Sequence, residues 1–261
     1  MRKYYYNYNT MELLYWIDIK KLNWIGLSAN PNAIELLKKN PDKINWDLLS
    51  QNPNAIELLK KNPDKINWHR LSSNKNAIEL LKKNKDKIDW YWLSSNPNAI
   101  QILRENIDKI DWYMLSINEN ALELLNENLE KINWNQFSKN PNGIEILKKN
   151  PGKINWYSLT LNPNGIELIR LYRYNMNLSL LSLNPSIEGI EILKKYPSHI
   201  NWNYLSKNPT AIEILKVNRK KINWRNFSAN PSIFKKNDVN NQSYFGQFKI
   251  DDFINLFNYF I

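Results

Sequence analysis

Few side chains in this sequence are of the types that perform catalysis or bind metals. The 261 residues include two histidines, six glycines and no cysteine. A chain without cysteine has no thiolate metal site and no cysteine nucleophile, and two histidines cannot build a three-histidine zinc site. Walker, GxGxxG, HExxH and GxSxG motifs are all missing from the sequence. We therefore predict that the protein is not an enzyme and has no catalytic residue, metal site or cofactor.

The basic charge makes nucleic acid a candidate partner. Lys and Arg number 36 against 25 Asp and Glu, a net charge of +11. The charge is uneven, because residues 90–133 hold three cations and seven carboxylates, whereas residues 24–89 carry +4 and residues 134–223 carry +8. A groove that follows a phosphate backbone should be basic throughout. The acidic middle therefore argues against nucleic acid, and binding through the two basic arms is the alternative to a protein partner.

Tryptophan recurs with a period of 22 residues, which indicates a repeat protein. Ten units, numbered here 1 to 10, follow the consensus WxxLSxNPNAIELLKKNPDKIN, with leucine in place of tryptophan in unit 8. One unit carries a two-residue insertion near residues 186–188, and the last unit is incomplete. The units start at residues 24, 46, 68, 90, 112, 134, 156, 178, 202 and 224.

Each unit reads as two helices. Asn at unit position 7, usually followed by Pro, is typical of a helix start, and the sequence NAIELLKKN then predicts about ten helical residues with one apolar face. Asn or Asp at position 22 should cap a shorter helix, WxxLS, whose Trp and Leu point inward. Glu four residues before Lys, as in Glu35–Lys39, favours ion pairs along the longer helix. These patterns assign the tryptophans to the core and the asparagines to capping.

A unit with two such short helices cannot bury its own apolar face, so the units must stack. We predict an all-α fold, a right-handed α-solenoid of about ten two-helix repeats that forms an open arc with terminal caps. Residues 1–23 are the predicted N-terminal cap, because Trp16, Ile17 and Leu22 echo a degenerate unit. Residues 24–236 form the solenoid, and residues 237–261 form a linker and a C-terminal helix. That helix either caps the array or serves in dimerisation, so the oligomeric state stays open.

The alternation of a long and a very short helix resembles the leucine-rich repeat variant family, whose units also carry an Asn/Asp-Pro step. That family's iron–sulfur segment has no counterpart here, since cysteine is missing. The motifs NPNAIELLKKN and KINWxxLS also resemble short-repeat proteins of giant DNA viruses of amoebae, of the Mimivirus type. This resemblance covers roughly residues 24–236 and implies a viral repeat protein.

Unit positions 2 and 3 vary from unit to unit and should point away from the core. Their aromatic and Met side chains are typical interface anchors and are the predicted partner-binding residues. Inter-unit packing is the competing interpretation of the same side chains. The residues are Tyr91, Trp92, Tyr113, Met114, Tyr157 and Tyr204.

The predicted function is a repeat scaffold for protein–protein interaction, with a host or viral protein as partner. Self-association in a virion or viral factory is a further alternative. No apolar run is long enough to cross a membrane or to act as a signal peptide. The expected location is therefore intracellular and cytoplasmic, in the host cytoplasm or viral factory, without a membrane partner.

Overall fold

The computed structural model describes residues 11–172 and 176–236. The predicted linker and C-terminal helix, residues 237–261, lie outside the described residues. Within them the chain is an all-α repeat solenoid, which confirms the predicted fold class. One two-stranded antiparallel sheet joins Met11–Leu13 to Phe234–Lys236.

Every unit opens with a short α-helix, called here the Trp helix. The side chain at position 22 of the preceding unit accepts a hydrogen bond from the third helical N–H, as Asn45 does from Leu48 at 2.9 Å. This is the predicted N-cap. The Trp helices are Trp24–Ala29, Trp46–Gln51, Trp68–Ser72, Trp90–Ser94, Trp112–Leu115, Trp134–Phe137, Trp156–Leu159, Leu178–Leu181, Trp202–Lys207 and Trp224–Ser228.

The predicted ten-residue helix is shorter than expected. In unit 1 a 3-10 turn, Pro31–Ala33, precedes an α-helix of only five residues, Ile34–Lys38. The Asn-Pro step sets the 3-10 turn rather than the α-helix itself. These second helices are Ile34–Lys38, Ile56–Lys60, Ile78–Lys82, Ile100–Arg104, Leu122–Asn126, Ile144–Lys149, Ile166–Leu171, Ile187–Lys195 and Ile212–Val217.

A further 3-10 turn at positions 18–20, called here the outer turn, ends most units. It has no counterpart in the two-helix prediction. The outer turns are Ile19–Lys21, Pro41–Lys43, Pro63–Lys65, Lys85–Lys87, Ile107–Lys109, Leu129–Lys131, Pro151–Lys153, Pro197–His199 and Arg219–Lys221.

The core runs continuously through the units. The residues at unit position 4, in the Trp helix, and at unit position 14, in the second helix, are fully buried, as Leu27 and Leu37 are in unit 1. The tryptophans pack against this core but are only half-buried. The prediction that the tryptophans belong to the core is therefore correct for one face of each indole group.

Ten buried asparagines at position 7 form a ladder that links neighbouring units. Asn52 Nδ2 donates to the carbonyls of Ser28, at 3.1 Å, and Asn30, at 2.9 Å, while its Oδ1 accepts from the Asn54 N–H. One side chain thus caps its own unit and bonds to the preceding one. This asparagine ladder consists of Asn30, Asn52, Asn74, Asn96, Asn118, Asn140, Asn162, Asn184, Asn208 and Asn230.

The ladder does not end at unit 1, because the chain ends meet and the solenoid closes into a ring. Asn30 Nδ2 donates to the carbonyls of Ser228 and Asn230, at 3.0 and 2.8 Å. The Asn23 N–H donates to Ser228 Oγ at 2.8 Å, and Asn32 Nδ2 to the Pro231 carbonyl at 2.9 Å. The predicted open arc is therefore wrong, since unit 1 donates to unit 10 the same hydrogen bonds that each other unit donates to the one before it.

The N-terminal segment completes unit 10 at this seam. Where other units have a second helix, unit 10 has the sheet between Met11–Leu13 and Phe234–Lys236. The turn Ile19–Lys21 then takes the place of the missing outer turn, and Leu22 is buried like its counterpart Ile44. Residues 11–23 thus supply the parts that unit 10 lacks. They fill the gap between units 10 and 1 rather than cover a free end.

Spacing in a closed ring increases with distance from its axis. From unit 9 through the seam to unit 5, neighbouring Trp helices pack directly on one another, whereas neighbouring second helices approach less closely. The Trp helices therefore form the inner layer of the ring, and the second helices with their outer turns form the outer layer.

Candidate partner-binding surface

The candidate residues lie on Trp helices that are capped at the N-terminus and anchored by a buried leucine. Asp89 Oδ1 accepts from the Trp92 N–H at 3.0 Å, and Asp111 Oδ1 accepts from the Met114 N–H at 2.8 Å. The leucine at position 4 of each helix is fully buried. Positions 2 and 3 lie on the opposite side of a helix from position 4 and its buried neighbours, so they face the inner surface of the ring.

Four of the six predicted residues, Tyr91, Trp92, Tyr113 and Met114, lie on the adjacent Trp helices of units 4 and 5 and are called here the aromatic cluster. Tyr91 is 43% exposed and packs edge-on against Trp92, with ring centroids 5.3 Å apart. Tyr113 is 44% exposed on the adjacent Trp helix, beside half-buried Met114. Gln136 Nε2 donates to the Tyr113 hydroxyl, which ties the cluster to unit 6.

Tyr157 and Tyr204 lie apart from this cluster. Tyr157 occupies position 2 of unit 7, two units beyond Tyr113, and is the most exposed of the six at 58%. Tyr204 occupies position 3 of unit 9. The structure therefore brings together the residues of units 4 and 5 but not these two.

Positions 2 and 3 are less alike than the sequence predicts. Position 2 is mostly exposed, whereas position 3 is mostly half-buried between neighbouring Trp helices. Gly26 gives the clearest case, because a Cβ at this position would lie 2.7 Å from the Arg225 carbonyl oxygen across the seam. Trp92 and Met114 at position 3 are accordingly half-buried, while Tyr91 and Tyr113 at position 2 are exposed.

Polar side chains at position 2 are hydrogen-bonded to the next unit. The Asp47 carboxylate accepts from Asn67 Nδ2 at 2.9 Å, and the Asn135 side-chain oxygen accepts from Asn155 Nδ2 at 2.8 Å. His69 Nδ1 likewise lies within hydrogen-bonding distance of Asp89. Among the described residues, no hydrogen bond commits Tyr91 or Tyr157 in this way. The sequence signal for this difference is a polar residue at position 2 followed 20 residues later by Asn or Asp.

The outer layer of the same two units is acidic. Arg104 of unit 4 bridges to unit 5, with Nη2 2.9 Å from Glu123 and Nη1 3.0 Å from Glu127. The hydrogen bond from Arg104 lowers the pKa of Glu127, and the same bond raises the pKa of Arg104. The Arg104 guanidinium therefore neutralises only part of the excess of carboxylates, and units 4 and 5 keep a net negative charge.

A ladder of cations on aromatic rings was not predicted. The Lys at position 20 lies over the Trp that opens its own unit, as Lys43 Nζ lies 4.7 Å from the ring centroid of Trp24. A cation above an indole face is stabilised by the ring quadrupole. The spacing of 19 residues between Trp and Lys in the repeat was the available signal. The same contact recurs at Lys65–Trp46, Lys87–Trp68, Lys109–Trp90, Lys131–Trp112 and Lys221–Trp202.

Ion pairs on the second helices follow a different spacing from the predicted one. Glu35 pairs with Lys38 at 2.7 Å, three residues on, rather than with Lys39. The same correction applies to Glu57 and Glu145, which pair with Lys60 and Lys148. Lysines three and four residues after the Glu both lie on its face of the helix, and the structure pairs the Glu with the lysine three residues on.

Among the described residues, no cluster of three or more His, Cys, Asp or Glu side chains has the arrangement needed for a metal ion. No helix within residues 11–172 and 176–236 is long and apolar enough to span a membrane. Comparison with known protein families, curated proteins and solved structures gave no match.

Proposed function

We propose that the protein is a non-enzymatic ring-shaped scaffold that binds a protein partner through the aromatic cluster. The supporting observation is the exposure of Tyr91 and Tyr113 on adjacent Trp helices. Among the described residues no hydrogen bond ties the Tyr91 side chain to the next unit, whereas polar residues at position 2 of other units are bonded to their neighbours. Aromatic side chains on a rigid support lose little conformational entropy on binding and commonly dominate interface energies.

The rigidity of the ring supports the same proposal. No buried side-chain nitrogen or oxygen among the described residues lacks a hydrogen-bond partner. A surface supported in this way is preorganised, so a partner does not have to order it. The resemblance to giant-virus repeat proteins favours a host or viral protein as the partner.

Affinity capture tests the proposal with a matched pair of variants. The intact ring is immobilised, and proteins retained from host or infected-cell lysate are quantified by mass spectrometry. Tyr91→Ser with Tyr113→Ser should reduce recovery of the specific partner at least about tenfold, the effect of losing roughly 1.4 kcal/mol. Recovery should change little between low and physiological salt, since the contacts are largely apolar.

The control is Tyr172→Ser with Tyr196→Ser. These tyrosines are similarly exposed, at 42% and 50%, but lie at the ends of second helices in the outer layer. They should leave recovery unchanged. Equal recovery with both double variants contradicts the proposal. So does the failure of added free protein to displace any captured protein from the immobilised ring.

A further inference from the structure

Ring closure gathers six cations from opposite ends of the chain. They belong to the outer turns of units 9 and 10 and to the end of the preceding second helix, and five of the six are exposed, Lys216 being half-buried. Open-ended stacking would leave the two sets at opposite ends of the molecule. This group, called here the basic seam, consists of Lys20, Lys21, Lys216, Arg219, Lys220 and Lys221.

Aromatic rings hold the basic seam together. Lys21 Nζ lies 5.3 Å from the ring centroid of Trp224, and the Arg219 guanidinium lies 5.3 Å from that of Trp16. Each contact joins the N-terminal segment to the last two units. Lys216 Nζ lies 5.6 Å from the Tyr15 ring in the same way.

The cations of the basic seam form no ion pairs with described carboxylates, although Asp18 caps the turn that carries Lys20. Lys216 differs in this from its counterparts at unit position 15, such as Lys38, which pair with a Glu. Position 19 of the outer turn is acidic in units 1 to 5 and loses that charge in the described turns beyond them. The acidic residues are Asp42, Asp64, Asp86, Asp108 and Glu130, and their replacements are Gly152, Ser198, Lys220 and Lys20.

Closure also reverses the electrostatic argument drawn from the sequence. In an open array the acidic units 4 and 5 separate two basic arms. In the ring those arms meet at the seam and form one basic arc from unit 6 through unit 10 to unit 3. A polyanion can therefore follow the outer edge across the seam without meeting the acidic sector.

We propose that the basic seam binds single-stranded nucleic acid, with its cations on the phosphates and Tyr15 stacked on a base. Tyr15 is 80% exposed with Lys216 against its ring, so most of its surface is open to a ligand. Cations interleaved with open aromatic faces are the chemistry by which proteins hold single strands. An acidic peptide would contact the cations alone and gain nothing from the aromatic side chain of Tyr15.

Fluorescence anisotropy with a labelled 20-nucleotide oligo(dT) tests the proposal on the full-length chain. Binding should weaken as salt rises, with a log–log slope of about −0.7 for each phosphate contacted and roughly −4 if all six cations engage. Lys20→Gln, Arg219→Gln and Lys220→Gln together should weaken binding at low salt at least about tenfold and reduce the slope by about two.

The matched control removes the same charge from the acidic units 4 and 5. Arg104→Gln, Lys109→Gln and Lys131→Gln together give the same net charge and should bind oligo(dT) like the wild type. Circular dichroism and sizing chromatography confirm that both triple variants remain folded rings. Equal weakening by the two triple variants would show a general charge effect and overturn the proposal.

Tyr15→Ala tests the stacking contribution separately. It should weaken oligo(dT) binding at least about fivefold, because base stacking on an aromatic side chain is worth that much per base. Unchanged binding by Tyr15→Ala, or equally strong competition by polyglutamate of the same length, would overturn the assignment to nucleic acid in favour of an acidic protein. Absence of oligo(dT) binding at low salt would also overturn it. The Tyr91→Ser and Tyr113→Ser double variant should bind oligo(dT) like the wild type. The nucleic-acid proposal can therefore fail or succeed independently of the proposal of a protein partner.

Discussion

Asn140 shows how much a single ladder residue does in the ring. Its Nδ2 donates to the carbonyls of Ser116, at 3.2 Å, and Asn118, at 2.9 Å, and its Oδ1 accepts from the Asn142 N–H at 3.0 Å. The side chain is fully buried. It therefore connects two units and caps its own, and neither role could be taken over by water.

Replacing Asn140 with alanine should be strongly destabilising. The change removes a cap worth about 1 kcal/mol and leaves buried carbonyl groups short of a donor, so we expect a loss of about 2–4 kcal/mol in the free energy of unfolding. Urea denaturation followed by circular dichroism measures it. Asn142→Ala is the control, because its bond to the Glu119 carbonyl is exposed and should be worth less than about 1 kcal/mol. Equal losses in the two variants would show that burial of the ladder is unimportant.

At the scale of elements, contact between neighbouring Trp helices decides how closely the ring can close. Gly26 is the one glycine at position 3 of a Trp helix, and it lies at the seam. A Cβ there would lie 2.7 Å from the Arg225 carbonyl oxygen and 2.8 Å from Ser228 Cβ. The backbone of unit 10 would have to move to make room for any larger side chain.

Gly26→Ala should therefore destabilise the folded ring. Overpacking against backbone atoms costs about 1–3 kcal/mol, which exceeds the roughly 1 kcal/mol that alanine gains in helix propensity. Thermal unfolding at neutral pH measures the change, and hydrogen exchange should show the largest loss of protection in units 1 and 10. Gly152→Ala serves for comparison, since no atom outside its immediate neighbours lies within 4 Å of the added Cβ. A Gly26→Ala protein as stable as Gly152→Ala would mean that the seam is looser than its hydrogen bonds indicate.

At the scale of the whole molecule, closure ties residues more than 200 positions apart. Glu12 and Lys235 are paired across the antiparallel sheet that joins the chain ends. The sequence has no cysteine, so an introduced pair cannot exchange with native thiols. The ring can thus be tested by a single engineered disulfide.

Glu12→Cys with Lys235→Cys should form an intramolecular disulfide under mild oxidation of dilute protein. The product migrates faster than the reduced chain on a denaturing gel, because its ends are joined. Glu12→Cys with Lys109→Cys places the second thiol in unit 4, across the ring, and should stay monomeric and reduced. Failure of the first pair to cross-link would support the open arc instead of the ring.

Much of the local structure follows from the sequence of one unit. The buried leucines, the asparagine caps and the two helices per unit were predictable, because apolar periodicity and capping depend on residues within one turn of each other. The Glu–Lys spacing was predicted wrongly, because three- and four-residue spacings both lie on one helix face and the repeat offers a lysine at each. The exposed candidates Tyr91 and Tyr113 were also found from the sequence. Their grouping with Trp92 and Met114 needed the packing of adjacent Trp helices.

Only the tertiary structure decided that the solenoid closes. Ten equal units form a ring when neighbours are rotated by about 36° each, and so small an angle depends on the summed packing of side chains between units rather than on any motif. The incomplete unit 10 and the half-unit marked by Trp16, Ile17 and Leu22 were the traces of closure in the sequence, but they fit terminal caps equally well. The sequence by itself determined the unit and its core. The tertiary structure joined the two basic arms into one arc, because it brought Lys20 and Lys21 beside Arg219–Lys221.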